Sequence, residues 1–298
     1  MPEPIEIVIM GTGSGVPTLR RGHPAVLFHR GADYFLFDCG ENAQLGLQKA
    51  KVSPMKIGKI FISHWHADHF AGIIPLLETL DLEGRGRPLE IYGPEASRFI
   101  DAMSELSYYG FGFEVKAVDV DFKKMQKIVD AADYGIYSVP TKHSVPSVGY
   151  LFQEKPHMKM NMNKARKLGL ESGPIMKKLR EKGKVAVGGK NVLFSDVAEE
   201  RPGRKIAYSG DTLVHEPFFK AVAGADILIH DGTFIEPFPK RAHASIKDAA
   251  RMAKKYEIKK LVFTHFSRRY RSSSELRTTA RSMFKNAVIA EDGMRIRL

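Results

Sequence analysis

Three histidines and one aspartate lie within six residues of one another, at His64, His66, Asp68 and His69. They follow an apolar segment, 59–63, which predicts a buried strand, and they precede an amphipathic helix predicted over 70–80. A lone histidine on an apolar face is usually a hydrogen-bonded core residue. Four ligand-type side chains in one connecting loop instead predict a metal site at the end of a strand.

The possible types of metal site are limited further because Cys39 is the only cysteine. Cysteine-based zinc sites and iron–sulfur clusters are excluded, which leaves imidazole and carboxylate groups as the donors for zinc. The short loop limits the directions of its four side chains, so they do not wrap one tetrahedral ion together with a reactive water. Two neighbouring ions solve that geometry, and further ligands are expected from residues that follow other predicted strands. These candidates are His143, Asp211 and His265.

Apolar runs and amphipathic segments alternate unevenly along the chain. Strands are predicted at 5–10, 34–38, 59–63, 89–92, 114–120, 127–131, 134–139, 148–152, 205–209, 226–229, 260–264 and 288–290. Helices are predicted at 41–50, 70–80, 96–106, 246–256 and 274–285. The pattern predicts a mixed α/β fold with two sheets, in which the strands between 114 and 152 form an antiparallel meander.

The positive charge is concentrated in one segment. Residues 155–190 contain eleven Lys and Arg against two acidic residues, which is +9 of the net +12 of the whole chain. Such a run is either a solvated helix face or an arm that binds a polyanion such as nucleic acid. Its weak apolar periodicity predicts a segment that does not contribute to the main core.

Other patterns exclude several classes of protein. The N-terminal residues lack a basic stretch followed by an apolar one, so a secretion signal is not expected. No apolar run is long enough to span a membrane, so a membrane-spanning protein is not expected either. One cysteine forms no disulfide within the chain, so we expect a cytoplasmic protein. Gly11, Gly13 and Gly15 follow a strand but lack the spacing of a dinucleotide-binding loop, so no nucleotide cofactor is expected.

Several separate motifs resemble one family. They are Phe37-Asp-Cys-Gly-Glu41, His64-x-His66-x-Asp68-His69, His143-Ser-Val-Pro146, Ser209-Gly-Asp211-Thr212, Ala242-His243-Ala-Ser245 and Thr264-His265-Phe-Ser267. They resemble the metallo-β-lactamase superfamily and, within it, the ribonuclease Z family, whose members trim the 3′ end of precursor tRNA. The resemblance implies a single domain over 1–298, an αβ/βα four-layer sandwich of two mixed sheets, with an inserted basic arm at about 153–200.

The resemblance also implies a dinuclear zinc site, with two ions per subunit. His64, His66 and His143 would hold one ion, Asp68, His69 and His265 the other, and Asp211 would bridge them. Asp68 would accept the proton of the attacking water, and His243 would protonate the leaving 3′ oxygen. One departure concerns the strand after Asp211: many members have His-Glu where this chain has His230-Asp231, which leaves the orientation of His243 open.

The basic segment resembles the exosite arm that these enzymes use to hold tRNA, through a Gly-Pro…Leu…Gly pattern that begins at Gly173. The residues expected to contact tRNA are Gly173, Pro174, Lys177, Lys178, Arg180 and Lys182. Ser267 and Arg269 lie two and four residues after His265. They are expected to hold flanking phosphates, with a surface salt bridge as the alternative role of the arginine. A homodimer is implied as well.

Two alternatives remain at this stage. The same fold and metal pair serve small phosphodiesters or esters in other proteins, because fold does not fix specificity. A non-enzymatic RNA-binding module with a degenerate site is the other alternative. Removal of residues 155–190 separates the first alternative from tRNA processing, and a His66→Ala variant tests the second.

Overall fold

The computed structural model describes residues 3–106, 110–238 and 242–298. Its strands are β1 (Ile5–Gly11), β2 (Ala25–Arg30), β3 (Asp33–Cys39), β4 (Lys59–Phe61), β5 (Leu89–Gly93), β6 (Val115–Asp119), β7 (Gln126–Asp130), β8 (Tyr134–Pro140), β9 (Val148–Glu154), β10 (His157–Met160), β11 (Lys184–Val187), β12 (Lys190–Leu193), β13 (Ala198–Arg201), β14 (Lys205–Tyr208), β15 (Ile227–Asp231), β16 (Leu261–Thr264), β17 (Ala287–Ile289) and β18 (Met294–Arg297). Its α-helices are α1 (Ala43–Ala50), α2 (Ala67–Phe70), α3 (Ile73–Leu82), α4 (Ala96–Glu105), α5 (Met162–Lys167), α6 (Pro174–Lys182), α7 (Phe194–Val197), α8 (Glu216–Ala221), α9 (Ile246–Lys255) and α10 (Ser273–Met283), and a 3-10 helix spans Pro54–Lys56.

Two mixed seven-stranded sheets form the larger of two compact units, which comprises 1–130, 136–152 and 205–298. The first sheet has the order β18-β1-β2-β3-β4-β5-β6, antiparallel from β18 to β3 and parallel from β3 to β6. The second has the order β17-β16-β15-β14-β9-β8-β7, with β14 to β17 parallel. Parallel strands put their carboxyl ends on one edge, which is where the predicted ligands lie.

An aromatic layer joins the two sheets. Phe28 of the first sheet packs on Phe152 of the second with ring centroids 4.6 Å apart, and Phe61 packs on Tyr150 at 5.2 Å. On its other side, the first sheet buries α1, α3 and α4 in one apolar cluster, and the second sheet buries α8, α9 and α10 in another. The predicted four-layer sandwich of two mixed sheets is therefore confirmed.

Two details of the predicted elements are wrong. The strand predicted at 114–120 does not belong to a meander with its successors, because β6 pairs in parallel with β5 in the first sheet, Leu89 opposite Val115. The helix predicted over 70–80 is interrupted, and Asp68 and His69 lie within the short helix α2 rather than in an open loop. The break falls at Gly72, whose amide donates to Cys39 O over 2.9 Å and where a Cβ would lie 2.2 Å from Gly40 O.

The smaller unit comprises 131–135 and 153–204, and it contains the basic segment. This unit has an apolar core of its own, which was not predicted from the sequence and which is formed by Met160, Ala165, Leu170, Met176, Leu179, Val185, Val192 and Val197. Met176 and Leu179 are three residues apart on one face of α6, and the Lys and Arg side chains of that helix are exposed. Within the described ranges, no helix has the length and apolarity needed to cross a membrane.

Candidate metal centre

The ends of neighbouring strands carry the predicted ligands. His64 follows β4, His143 follows β8, Asp211 follows β14 and His265 directly follows β16. Asp68 and His69 are presented by α2, which begins three residues after His64. The rigid sheets thus bring side chains together that are up to about two hundred residues apart in the sequence.

The first set of ligand atoms consists of three imidazoles. His66 Nδ1 lies 3.0 Å from His64 Nε2 and 3.2 Å from His143 Nε2. His64 is fully buried, whereas His66 and His143 are partly exposed. Three ring nitrogens that all lie within 4.8 Å of one another can hold a metal ion and leave it an open position.

The second set consists of Asp68, His69, Asp211 and His265, whose ligand atoms likewise lie within 4.8 Å of one another. Asp211 Oδ2 is 3.3 Å from His69 Nε2 and 3.1 Å from His265 Nε2. The same oxygen is 3.9 Å from His64 Nε2 of the first set. Asp211 therefore stands between the two sets, where one carboxylate can contact two cations.

Two residues of the centre have a left-handed backbone. His265 has a φ of 60° and Asp38 a φ of 55°, a conformation that costs a non-glycine residue roughly 1–3 kcal/mol and persists only where its surroundings enforce it. At His265 the next amide, of Phe266, donates to Thr12 O over 2.8 Å. The neighbouring chain thus fixes the direction in which His265 points.

Asp38 supports the ligands from behind. Its Oδ2 lies 2.6 Å from His69 Nδ1 and accepts hydrogen bonds from Ser63 Oγ at 2.9 Å and from Tyr208 Oη at 2.6 Å. Ser63 Oγ in turn lies 3.0 Å from His64 Nδ1. One buried carboxylate therefore orients ligands of both sets, as carboxylates that hydrogen-bond to the ligands of a metal commonly do.

The remaining imidazoles are held in the same way. Thr233 Oγ1 lies 2.8 Å from His265 Nδ1 and donates to Asp231 Oδ1 over 2.6 Å. His143 Nδ1 lies 2.8 Å from Ala242 O. In His64, His69, His143 and His265 the Nδ1 atom therefore has a protein partner, which leaves Nε2 as the nitrogen that can bind a cation.

Two buried polar atoms of the centre test whether cations fit here. Among the described residues, His69 Nε2 and Asp211 Oδ1 have no hydrogen-bond partner. A buried nitrogen lone pair and a buried carboxylate oxygen without partners are costly unless something binds them. A divalent cation satisfies both, so the donor set and the unpartnered atoms fit a pair of metal ions.

A third convergent group, Asp211, Asp231, His243 and His265, fits a cation less well. Asp231 already accepts hydrogen bonds from the amides of Thr212 and Thr233 and from Thr233 Oγ1. Its Oδ2 also lies 3.1 Å from His243 Nδ1. Asp231 thus contacts the neighbouring side chains and limits their orientation. The orientation of His243, which the sequence left open, is set by this contact.

The surroundings shift the pKa values of two histidines of the centre, His64 and His243, in opposite directions. Burial lowers the pKa of His64 well below its usual value, with His69 adding to the effect, so this imidazole is neutral, as a metal ligand must be. Burial opposes ionisation of Asp68, but the His265 and His69 imidazoles outweigh it and lower the pKa of Asp68 to about 2. At His243 burial is likewise outweighed, here by Asp231 and Asp211, which raise its pKa to about 9.

The centre opens into a cavity of about 830 Å³. Ser267, Arg268, Arg269 and His243 line it together with His66 and Asp68. The Arg269 guanidinium lies 4.8 Å above the Phe234 ring, which holds the side chain at the cavity wall. The predicted phosphate-binding residues Ser267 and Arg269 therefore border the metal ligands.

The predicted arm residues lie in the smaller unit. Gly173 precedes α6 with a φ of 153°, and Pro174 is the first residue of that helix. Lys177, Lys178, Arg180 and Lys182 are exposed on it. Lys177 lies 3.9 Å from Glu181, and no other acidic partner of these four side chains is present in the described ranges.

Sequence reasoning missed the residues that orient the ligands. Asp38, Ser63, Tyr208 and Thr233 were given no role, although Asp38 lies in the motif at 37–41 and Ser63 directly precedes His64. An ionisable residue at the end of a buried strand was the available signal for Asp38. Nothing in the sequence singled out Thr233, since a threonine after a strand is common.

Comparisons with known proteins agree with this geometry. A family model described as a beta-lactamase superfamily domain matches residues 181–266, and one described as anti-Pycsar protein Apyc1 matches residues 5–98. A ribonuclease Z from Methanosarcina acetivorans is 37% identical, covering 99% of this chain and 98% of that protein. The crystal structure of the short form of human tRNase Z has a TM-score of 0.69 and 28% identity, covering 98% of both chains. A metallo-β-lactamase fold protein from Bacillus subtilis has a TM-score of 0.71 at 21% identity, covering 99% of this chain and all of that one, which supports the fold alone.

Proposed function

The chain belongs to the ribonuclease Z family of the metallo-β-lactamase superfamily, and from this premise we propose that it removes the 3′ trailer from precursor tRNA. The reaction is hydrolysis of one phosphodiester, which leaves a 3′-hydroxyl on the tRNA and a 5′-phosphate on the trailer. The observation that carries the proposal is the pair of ligand sets that meet at Asp211. A chain related to ribonuclease Z over nearly its full length, with such a centre, is suited to phosphodiester hydrolysis.

Two zinc ions per subunit are the proposed cofactors. His64, His66 and His143 would hold one, Asp68, His69 and His265 the other, and Asp211 would contact both, as the unpartnered Asp211 Oδ1 and His69 Nε2 support. When bound, such ions lower the pKa of a shared water to about 7 and offset charge on the phosphate oxygens.

Asp68 is the proposed general base. Its carboxylate lies at the cavity wall, 3.4 Å from His265 Nε2 and 3.6 Å from His69 Nε2. It is ionised at neutral pH because both imidazoles stabilise its charge. Asp68 can therefore orient the attacking water and accept its proton.

His243 is the proposed donor to the leaving 3′ oxygen. Asp231 holds its Nδ1 at 3.1 Å, which leaves Nε2 for a substrate atom in the cavity that His243 lines. Since Asp231 accepts from Nδ1, Nε2 carries the second proton of the imidazolium, and this proton can pass to an alkoxide. Asp231 is a positioning residue in this scheme.

The basic unit is the proposed tRNA-binding arm, at about 153–200. Gly173, Pro174, Lys177, Lys178, Arg180 and Lys182 are proposed to contact the RNA backbone. The exposed cations of α6 are mounted on a helix whose apolar face is buried in the unit's own core. A preformed basic surface suits phosphates without reading base sequence. Ser267 and Arg269 would hold phosphates next to the scissile bond.

We keep two further proposals with this function. A homodimer is proposed from the family, and a cytoplasmic location from the single cysteine. Size-exclusion chromatography with light scattering tests the first, since a homodimer would have twice the 33.4 kDa chain mass.

The test of the function uses one precursor tRNA labelled at its 5′ end. Incubation with the purified protein should yield one shortened labelled tRNA with a 3′-hydroxyl, which polyadenylation of the product detects. A His66→Ala variant should lose this cleavage, because His66 is central to the first ligand set. An intact precursor with the unmodified protein, or equal cleavage by the variant, would contradict the proposal.

A further inference from the structure

A second cavity adjoins the one that contains the metal ligands. Its volume is about 750 Å³, and it is lined by residues of segments 13–21 and 266–273 and by Glu291 and Asp292. It shares Val16, Arg268 and Arg271 with the first cavity, so a single-stranded segment of RNA can pass from one cavity to the other.

Three arginines of this second cavity are available to bind anions. Arg20, Arg268 and Arg271 are exposed, and none has an acidic partner among the described residues. The two acidic side chains of the cavity are engaged elsewhere. Glu291 Oε1 lies 3.2 Å from Arg277 Nη2, and Asp292 accepts from Thr12 Oγ1 at 2.6 Å and from the Gly22 amide at 2.7 Å.

Arg21 has a different role, because three of the five N–H donors of its guanidinium are already engaged. It donates to Thr12 Oγ1 at 2.6 Å, to Ala290 O at 3.0 Å and to Ser273 Oγ at 2.9 Å, and it lies 4.4 Å above the Phe266 ring. Arg21 thereby ties the segment that carries Arg20 to the segment that carries Arg268 and Arg271. The segments that carry the three available arginines are therefore linked to each other before any substrate binds.

The chemistry of the proposed reaction indicates which part of the precursor tRNA enters this second cavity. The atom that leaves is the 3′ oxygen of the tRNA, and it faces the proposed donor His243, which is held by Asp231. The phosphorus stays with the trailer, and nucleophile and leaving oxygen lie on opposite sides of it. Val16 lines both cavities and follows Gly15, where a Cβ would lie 3.8 Å from Asp68 Oδ2, so the two cavities adjoin on the side of the proposed base.

We propose that Arg20, Arg268 and Arg271 bind the backbone phosphates of the first nucleotides of the 3′ trailer. This inference rests on the proposed function. Guanidinium groups suit this ligand because they form paired, charge-assisted hydrogen bonds with phosphate oxygens. Contacts to the backbone alone hold trailers of any sequence.

The test varies trailer length. Precursors with one tRNA body and trailers of one, three and six nucleotides are cleaved by the unmodified protein, by an Arg20→Ala/Arg271→Ala variant and by a matched Arg98→Ala control. Arg98 is exposed on α4 and lines neither cavity. For the unmodified protein KM should fall as the trailer lengthens. The ratio of the variant's KM to that of the unmodified protein should rise with length, to about tenfold or more at six nucleotides, for the loss of charge-assisted bonds. Arg98→Ala should give a ratio near one at every length.

Two results would overturn the proposal while leaving tRNA processing intact: a KM of the unmodified protein that is independent of trailer length, or a variant ratio that is the same for all three trailers. Failure of the unmodified protein to cleave any of the precursors would instead reject the proposed function, and the trailer site with it.

Discussion

His243 Nδ1 lies 3.1 Å from Asp231 Oδ2 and 3.6 Å from Asp211 Oδ2. Asp231 is fully buried and ends β15, whereas His243 lies in the segment before α9. A residue fixed by a sheet thus determines the orientation of a residue on a loop. The aspartate reaches the imidazole although its side chain is one methylene shorter than that of a glutamate.

Replacement of Asp231 tests this relationship. Asp231→Asn should lower kcat for precursor tRNA by at least ~10-fold, because general acid catalysis contributes roughly 10²–10⁴-fold and depends on ring orientation. KM should change little, since Asp231 does not line the substrate cavity. Steady-state kinetics measure both. Asp231→Glu, which keeps the carboxylate, should recover part of kcat, and an equally inactive glutamate variant would argue for a merely structural role.

Asp38 should govern metal affinity without binding metal. It contacts His69 Nδ1 and, through Ser63, orients His64, so Asp38→Asn should weaken zinc binding by about 10–100-fold. Competition with a chromogenic chelator measures the affinity, and circular dichroism checks that the variant is folded. Asp101→Asn, an exposed change on α4, is the control. Equal zinc affinity of the two variants would refute this role of Asp38.

The arm should contribute binding rather than chemistry. In a variant with Lys177, Lys178, Arg180 and Lys182 changed to Ala, the ratio of precursor tRNA cleavage to hydrolysis of a small chromogenic phosphodiester should fall. The dependence of log KM on log salt should also become shallower, by about one per lost phosphate contact. Alanine at the exposed Lys124 and Lys127 serves as the control. A salt dependence identical to that of the unmodified protein would show that α6 does not contact RNA.

Close backbone packing under α2 predicts a large effect of one methyl group. At Gly40 a Cβ would lie 2.2 Å from Asp68 O and 2.6 Å from His23 Cβ. Gly40→Ala should therefore lower the free energy of unfolding by about 1–3 kcal/mol, as overpacking does. Denaturant unfolding measures the change against Gly86→Ala, where no atom lies within 4 Å of the added methyl. Equal stability of the two variants would contradict the packing described for Gly40.

Much of the fold was predictable because most strands of the two large sheets are short, apolar and buried. The two sheets, and the placement of His143, Asp211 and His265 after strands, followed from that pattern. The pairing of β6 did not, because a run such as 115–119 has the same pattern whether it joins its predecessor or its successor. The break at Gly72 also escaped prediction, since it depends on contact with the backbone at residues 39 and 40.

The residues of the candidate site were also predictable only in part. The residues that would bind metal were predictable because few sequences place so many imidazole and carboxylate groups at strand ends. The roles of the residues that orient them were not predictable, because Asp38, Ser63 and Thr233 act through contacts between segments far apart in the chain, although the position of Asp38 at the end of a buried strand was a signal. The core of the basic unit was missed because its apolar residues are spread thinly over a short helix and short strands.

Seven side chains are proposed to hold two cations in this protein. Anomalous diffraction at the zinc edge from crystals of the zinc-loaded protein measures this directly. We expect two peaks about 3.5–4 Å apart, one beside His64, His66 and His143 and the other beside Asp68, His69 and His265, with Asp211 between them. A single peak, or peaks away from these side chains, would contradict the account.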